Sequence, residues 1–438
     1  MTLDLGRPLP EPVPSSSSDG DDVPDQMRRL ERMCADDPRQ GPARYVLARF
    51  HASRGDRARA LARLEELLKI EGWDYALAPD EFESLADDPA FVALAERARA
   101  RVPLVPHGPV AFELDALDIL PEGVAWDPRR KQMLVGSMAK RQVLVAGFDG
   151  RTRPLTKSAQ DGLLGVLGIA VDARRDRAYV AAVAMPMMEG YDPQADRDQA
   201  AVHGFSLEDG RTVGRWPAPA GPTQLNDLVV LSDGSVLVTD SITSTVLRKA
   251  PDASSGAPLE PLLPEGTFFA PNGIVELEGE RAIVVADFEG LHRVALDGPT
   301  VELLSPPPGI LTLAGIDGLE RRGSTLVGIQ NVVGAGRVWA LELDAEGRTL
   351  IAGRILDSDH PLYRGPTTGA IADERFLYLA NAALQMGDEG LVPPPEGQRH
   401  VILELRLDAA GSTGIEPQQP PQSAQPPHSP SASRPGNR

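Results

Sequence analysis

Two periodicities divide the chain. Between about Pro42 and Ala100 the apolar residues recur at helical spacing: Leu47, Ala48, Ala60, Leu61, Leu64, Leu67 and Leu68 describe two amphipathic helices, with Gly55-Asp56 as the turn between them. Ala48 and Ala60 are small enough to let those helices approach closely. A third helix is expected after Pro89, with Phe91, Leu94 and Ala95 as its apolar stripe. From Pro109 onward the period falls to two. Short runs such as Gln132-Met133-Leu134-Val135, Gln142-Val143-Leu144-Val145 and Arg177-Ala178-Tyr179-Val180 are separated by Asp/Gly turns, which predicts strands and a sheet-rich domain of about 300 residues.

The strand region repeats. Six segments share a small residue followed by an apolar one: Pro121-Glu122-Gly123-Val124, Val166-Leu167-Gly168-Ile169, Leu225-Asn226-Asp227-Leu228, Pro271-Asn272-Gly273-Ile274, Ile316-Asp317-Gly318-Leu319 and Thr367-Thr368-Gly369-Ala370. Their second members are spaced by 45, 59, 46, 45 and 51 residues. A unit of that length holding three or four short strands is the mark of a β-propeller, and six units predict six blades. The fold class expected is therefore mainly β, a six-bladed propeller preceded by a small helical segment. Blade one is expected to run through Gly123 to Trp126, Gln132 to Val135 and Val143 to Phe148. The last unit shows three strands only, so Val110 to Leu114 is expected to pair with it and close the ring, removing an exposed edge.

The chain then divides into a disordered leader at 1–25, a helical segment at 26–102, the propeller at 109–409 and a disordered Pro/Gln/Ser-rich tail at 410–438. The helical segment resembles one tetratricopeptide repeat, without the aromatic that heads that motif. A single such unit cannot form a binding superhelix, which favours a cap or docking element for the main domain over an independent module that binds a protein partner. No stretch approaches the ~18 apolar residues of a membrane span, and the leader has no apolar signal core, so a cytoplasmic location is expected.

Composition removes several classes of function. The 44 basic against 63 acidic residues leave a net charge of −19, which argues against a general nucleic-acid binder. Cys34 is the only cysteine, excluding disulfide pairing within the chain and thiolate-rich metal sites. It is expected to be a small, buried or half-buried side chain.

Chemistry follows from the repeat. The innermost strands of a propeller run roughly along its axis, so equivalent starting positions converge on one end of the channel. Those positions hold Glu122, Leu167, Asn226, Asn272, Asp317 and Thr368. Two carboxylates and two amides are hard oxygen donors, suited to Ca²⁺, with Zn²⁺, Mn²⁺ or Mg²⁺ as alternatives. Asn and Asp before Gly also form turns in isolation, but four such donors at equivalent positions of one ring favour a metal site.

Over about Leu120 to Asp408 these segments resemble the SMP-30/gluconolactonase/LRE-like family, six-bladed propellers that include calcium-dependent lactonases. The pieces that carry the likeness are Pro121-Glu122-Gly123, Asn226-Asp227 with Asp233-Gly234 and Thr239-Asp240-Ser241, Ala270-Pro271-Asn272-Gly273, and Asp317-Gly318. The resemblance implies that Glu122, Asn272 and Asp317 hold a divalent metal, with Asn226 at the metal directly or through water. It further implies a lactone or related ester as substrate, a carbonyl polarised by the cation, and Asp317 as general base. Gln224 and Thr368 are the positions assigned to substrate. Sugar-lactonase members often carry Arg where this chain has Gln224, which points away from an aldonolactone.

No Ser/His/Asp triad is apparent. His203, His292, His360 and His400 share no blade position and are expected to be surface or satisfied side chains, with His360 placed before blade six and within reach of the channel mouth. Asp240 and Ser241 are expected to stabilise a turn. The long spacing in blade two reflects an insertion containing Met185, Met187, Met188 and Tyr191, either a lid or an ordinary surface loop. The competing functional reading is a non-catalytic propeller that binds a ligand or protein partner, its metal purely structural.

Overall fold

The computed structural model describes residues 25–407, apart from 278, 280, 299, 383, 384, 388, 389 and 393–398. The tail expected at 410–438 lies outside the described residues, as does the leader except for Asp25. Among the described residues, no helix is long and apolar enough to cross a membrane.

The strands form six four-stranded antiparallel sheets and one separate pair, Gln385–Gly387 with Gly390–Val392. Blade one comprises Pro121–Asp127, Gln132–Ser137, Gln142–Ala146 and Thr152–Pro154. Blades two to five repeat this order from the innermost strands Gly165–Asp172, Leu225–Val230, Ile274–Leu277 and Ile316–Arg322. Blade six takes Gly369–Ala372, Arg375–Leu379 and Val401–Arg406 from the end of the chain and Val110–Glu113 from its beginning. Val110 pairs with Leu403 and Glu113 with Val401, so the ring closes by joining strands almost 300 residues apart. Closure buries the edge that Val401–Arg406 would otherwise present.

Neighbouring innermost strands touch through backbone. A Cβ on Gly123 would overlap the carbonyl oxygen of Leu167; one on Gly168 would meet that of Asn226; one on Gly273 would meet that of Asp317. At these positions the glycine after the ring residue is demanded by close approach of two main chains, not by turn formation; in blade three Asp227 takes its place. In four blades the strand pairing also slips at this point, between Pro121 and Val124, Val166 and Ile169, Leu225 and Leu228, and Ile316 and Leu319. Such bulges release a residue from the ladder and re-aim its side chain.

The helical segment contains four α-helices, α1 (Asp25–Asp36), α2 (Gly41–Ser53), α3 (Arg57–Leu67) and α4 (Pro89–Arg99), with a 3₁₀ helix at Pro79–Leu85. Asp56 caps α3 through the amide of Arg59 and Asp88 caps α4 through that of Ala90, with Pro89 at the first helical position. Ala48 and Ala60 are fully buried where α2 and α3 meet. Within the expected helical segment, one more helix precedes the two described by the apolar period. Asp25 opens α1, which contains Cys34; Leu30, Cys34, Ala43 and Leu47 are buried with Phe269 and Phe288 of the propeller.

That packing positions the helices relative to the ring. In an up-and-down blade the innermost strand starts, and the second strand ends, at the same face. Phe269 and Leu311 precede innermost strands; Phe288, Val332 and Val333 follow second strands. All five pack against the helical segment, which therefore covers blades four and five on the face where the ring residues lie.

Candidate metal centre

Glu122, Leu167, Asn226, Asp317 and Thr368 are buried and Asn272 half-buried at the head of the channel. Asp317 is the best-connected member. Its Oδ1 accepts from the side-chain amide of Asn272, and its Oδ2 from that of Asn331, which also donates to the carbonyl of Pro366 at 2.8 Å. Asn226 donates to the hydroxyl of Ser241 at 3.1 Å, and that hydroxyl donates to the carbonyl of Pro271 at 2.7 Å. With both amide nitrogens engaged in protein contacts, the amide oxygens of Asn226 and Asn272 are left for a ligand.

Two buried oxygens of the ring have no hydrogen-bond partner: Oε2 of Glu122 and Oδ1 of Asn272. Both are hard donors and neither has a proton to give when Glu122 is ionised, so their burial is costly unless a cation or water meets them. Burial raises the Glu122 carboxyl well above its ordinary range, with the charges of Asp317 and Asp227 adding to the effect. Burial also raises Asp317, partly offset by the amides of Asn331 and Asn272. Carboxylates raised by burial with no cation beside them describe a site short of positive charge, and the donor set fits a hard divalent cation.

Asp227 extends the acidic character inward. It stands where the other five innermost strands have glycine, and its carboxylate accepts from the amide of Leu228 at 2.8 Å. Burial moves it up to about 7, with a contribution from Asp317. The blade-three to blade-four gap admits this side chain because the Thr239 hydroxyl spans it, donating to the carbonyl of Asn272 at 2.9 Å and accepting from the amide of Asp227 at 3.1 Å. Deeper in the channel, a cavity of about 220 Å³ lined by all six innermost strands also holds Glu320, which burial moves up to about 8.

The remaining assigned positions differ in kind. The hydroxyl of Thr368 donates to the carbonyl of Glu122 at 2.5 Å and accepts from the amide of Val124 at 3.2 Å, stitching blade six to blade one. Gln224 is half-buried, its backbone amide held by Asp240 at 3.0 Å. Asp240 also accepts from the amides of Ile242 and Thr243, at 3.0 and 3.1 Å. Ser241 does more than close this turn, since it orients Asn226. Asn331 and Ser241 were not read as site residues from sequence. Both sit just past the end of a second strand, a position that the search for repeated innermost starts does not inspect.

His203, His292, His360 and His400 are all buried. His360 does not reach the mouth: its Nδ1 accepts from the amide of Leu362 and its Nε2 meets the carbonyl of Gly108 at 3.1 Å. His292 bonds Asp287 at 2.9 Å and His400 meets the carbonyl of Leu117 at 3.2 Å. His203 is fully buried with Phe205 beside it at 6.0 Å between ring centroids. In the blade-two insertion, Met188 is buried and Glu189 pairs with Lys140 and bonds the carbonyl of Ala139, which ties the insertion to the adjoining loop of blade one.

No family model matches the chain, and no curated protein matches it. Solved propellers do. The PQQ-bound aldose sugar dehydrogenase from Streptomyces coelicolor is 16% identical, with 69% of this chain and 99% of that one covered at a TM-score of 0.47. A gluconolactonase from Xanthomonas campestris is 19% identical over 69% and 99% of the two chains, at 0.44. Virginiamycin B lyase from Staphylococcus aureus is 11% identical over 68% and 87%, at 0.43. Three different chemistries at such low similarity transfer no activity to this chain.

Proposed function

We propose that the protein is a divalent-cation-dependent hydrolase acting on a lactone or related carboxylic ester, with Ca²⁺ as the first cation to test. The observation that carries this reading is the pair of orphaned buried oxygens, Glu122 Oε2 and Asn272 Oδ1, beside the carboxylate of Asp317. They are also among the oxygen donors that the resemblance to the lactonase-containing family assigns to a metal.

Glu122, Asn226, Asn272 and Asp317 would hold the cation, which when bound supplies Lewis acidity to an ester carbonyl. Asp317 receives one amide donor at each oxygen, which fixes its carboxylate plane while leaving lone pairs that can accept a proton from the attacking water. Asn272 and Asn331 cannot exchange protons at neutral pH and serve to orient Asp317. Ser241 does the same for Asn226. Leu167 makes one side of the ring apolar, a surface suited to the hydrocarbon part of an ester and not to a further polar contact.

The test is hydrolysis of γ- and δ-lactones and aryl esters with Ca²⁺, Mn²⁺, Mg²⁺ or Zn²⁺ and with a chelator, for the native protein and Asp317→Asn. Turnover that requires the cation and is lost in the variant supports the reading. Chelator-resistant turnover, or turnover undiminished in Asp317→Asn, removes the proposed centre. A cation that raises the melting temperature without any turnover assigns the ring to structure and the protein to ligand binding.

A further inference from the structure

The loop that follows the second strand of blade five connects the helical segment to the ring. Asn331 begins it and donates to both Asp317 and the carbonyl of Pro366, bridging the entries to blades five and six. Immediately before it, Gln330 is fully buried and every polar atom of its amide is used. Its Oε1 accepts from the hydroxyl of Tyr75 at 2.8 Å and from the indole of Trp339 at 2.9 Å, and its Nε2 donates to the carbonyl of Ala314 at 2.7 Å.

The other end of the loop is held by the same short stretch of the helical segment. Arg337, only 1% exposed, donates to the Asp74 carboxylate at 3.1 Å and the Asp74 carbonyl at 2.8 Å, with its guanidinium 3.9 Å from the Tyr75 ring centre. Between these anchors, Val333 is fully buried in the core that contains Tyr75 and Leu77. Gly334 adopts φ +69° against the carbonyl of Ala76, where a Cβ would come within 2.6 Å. A loop gripped at both ends and in the middle has little freedom, and an amide donor is useful to a carboxylate only while its aim is kept.

We propose that Asp74 and Tyr75 of the helical segment, acting through Gln330, Arg337 and Asn331, position the Asp317 carboxylate, so that the helical segment completes the cation site. Asn331 and Tyr75 are positioning residues here and touch no substrate. The relay rests on the reading of the ring as a divalent-cation site. Its polar links are buried, so losing the Tyr75 hydroxyl removes one of the three contacts that fix the Gln330 amide and loosens the strand end that carries Asn331. Burial pushes the Tyr75 phenol up to about 12, which keeps it a donor throughout the working pH range.

The experiment is a calorimetric titration of the full chain with Ca²⁺ and with Mn²⁺, for the native protein, Tyr75→Phe, Asn331→Ala and the double variant, alongside melting in chelator. Asn331→Ala is expected to weaken cation affinity by about 10–100-fold, the usual range for residues that support a metal ligand. Tyr75→Phe, which keeps the ring over Arg337, should weaken it several-fold. In the Asn331→Ala background Tyr75→Phe should have no further effect on affinity. Unchanged affinity in Tyr75→Phe, or additive losses in the double variant, would overturn the relay while leaving the cation site standing. Native protein that binds neither cation would remove the site, and the relay with it. Asp74→Asn, which drops the ion pair and leaves the hydroxyl–amide contact, reads the same link independently should Tyr75→Phe fail to fold.

Discussion

Asn272 gives its side-chain N–H to Asp317 while its own amide oxygen stays buried without a partner. One side chain thus orients a carboxylate and leaves a donor atom for a ligand, and together with Glu122 this makes the ring costly to keep empty.

Removing that cost separates charge from function. Glu122→Gln neutralises a buried carboxyl that burial and two neighbouring acids push upward. In chelator the variant should melt higher than the native protein, and added cation should no longer raise its melting temperature. Hydrolysis should fall by about 10³-fold, the scale of losing a preorganised electrostatic group. A variant that melts lower in chelator and still responds to cation contradicts this account.

Stability of the cation-free protein should fall with rising pH from about 4, the ordinary carboxyl range, to about 8. Asp227 and Glu320 are raised to about 7 and about 8, and Glu122 and Asp317 are raised as well. The folded chain therefore holds protons that the unfolded chain has already released. The resulting stabilisation is complete below the ordinary carboxyl values and disappears as pH passes the raised ones. Cation binding should strengthen over the same interval, because the cation displaces those protons from Glu122 and Asp317. Urea unfolding in chelator and calorimetry across this range measure both; a flat cation affinity would sink the assignment.

His203 acts in the opposite direction and at lower pH. It is fully buried, both ring nitrogens lack partners, and burial lowers it from 6.5 to about 4. Its contribution is present above pH 6.5 and lost as pH falls toward 4, by about 1.4 kcal/mol per unit. His203→Phe should raise the melting temperature at pH 7 by removing unsatisfied polar atoms, and raise it more at pH 5. An equal shift at both values would show that its titration does not matter.

Gly123→Ala and Gly318→Ala should be severely destabilising, by about 3 kcal/mol or more, because the added Cβ would collide with backbone of the next blade and not with a movable side chain. Gly279→Ala, at a turn with open space around it and φ +88°, should cost less. Denaturant midpoints of the three variants decide the order.

The propeller was legible because each blade repeats its own local pattern. Alternation marks the strands, the ring position recurs every 45 to 59 residues with glycine after it in five of six units, and a missing fourth strand in blade six points to Val110–Glu113. The first helix is weakly marked because half of Asp25–Asp36 is charged, with Met27, Leu30, Met33 and Cys34 as its sparse apolar stripe; its burial comes from Phe269 and Phe288, far along the chain. His360 is satisfied, as expected of the histidines, but by a partner that no local pattern names, since Gly108 lies 252 residues away.

Sequence alone determined the repeat, the closing strand and the convergence of Glu122, Asn226, Asn272 and Asp317, all consequences of local periodicity and of glycine where backbones must touch. Tertiary structure decided which of their atoms are already engaged and which are left over. It also placed Asn331 and Ser241 beside them and seated the helical segment on the ring's own face. Those outcomes depend on contacts such as Tyr75 to Gln330, 255 residues apart. No local preference encodes such a contact; it exists only once closure and packing have brought the two positions together.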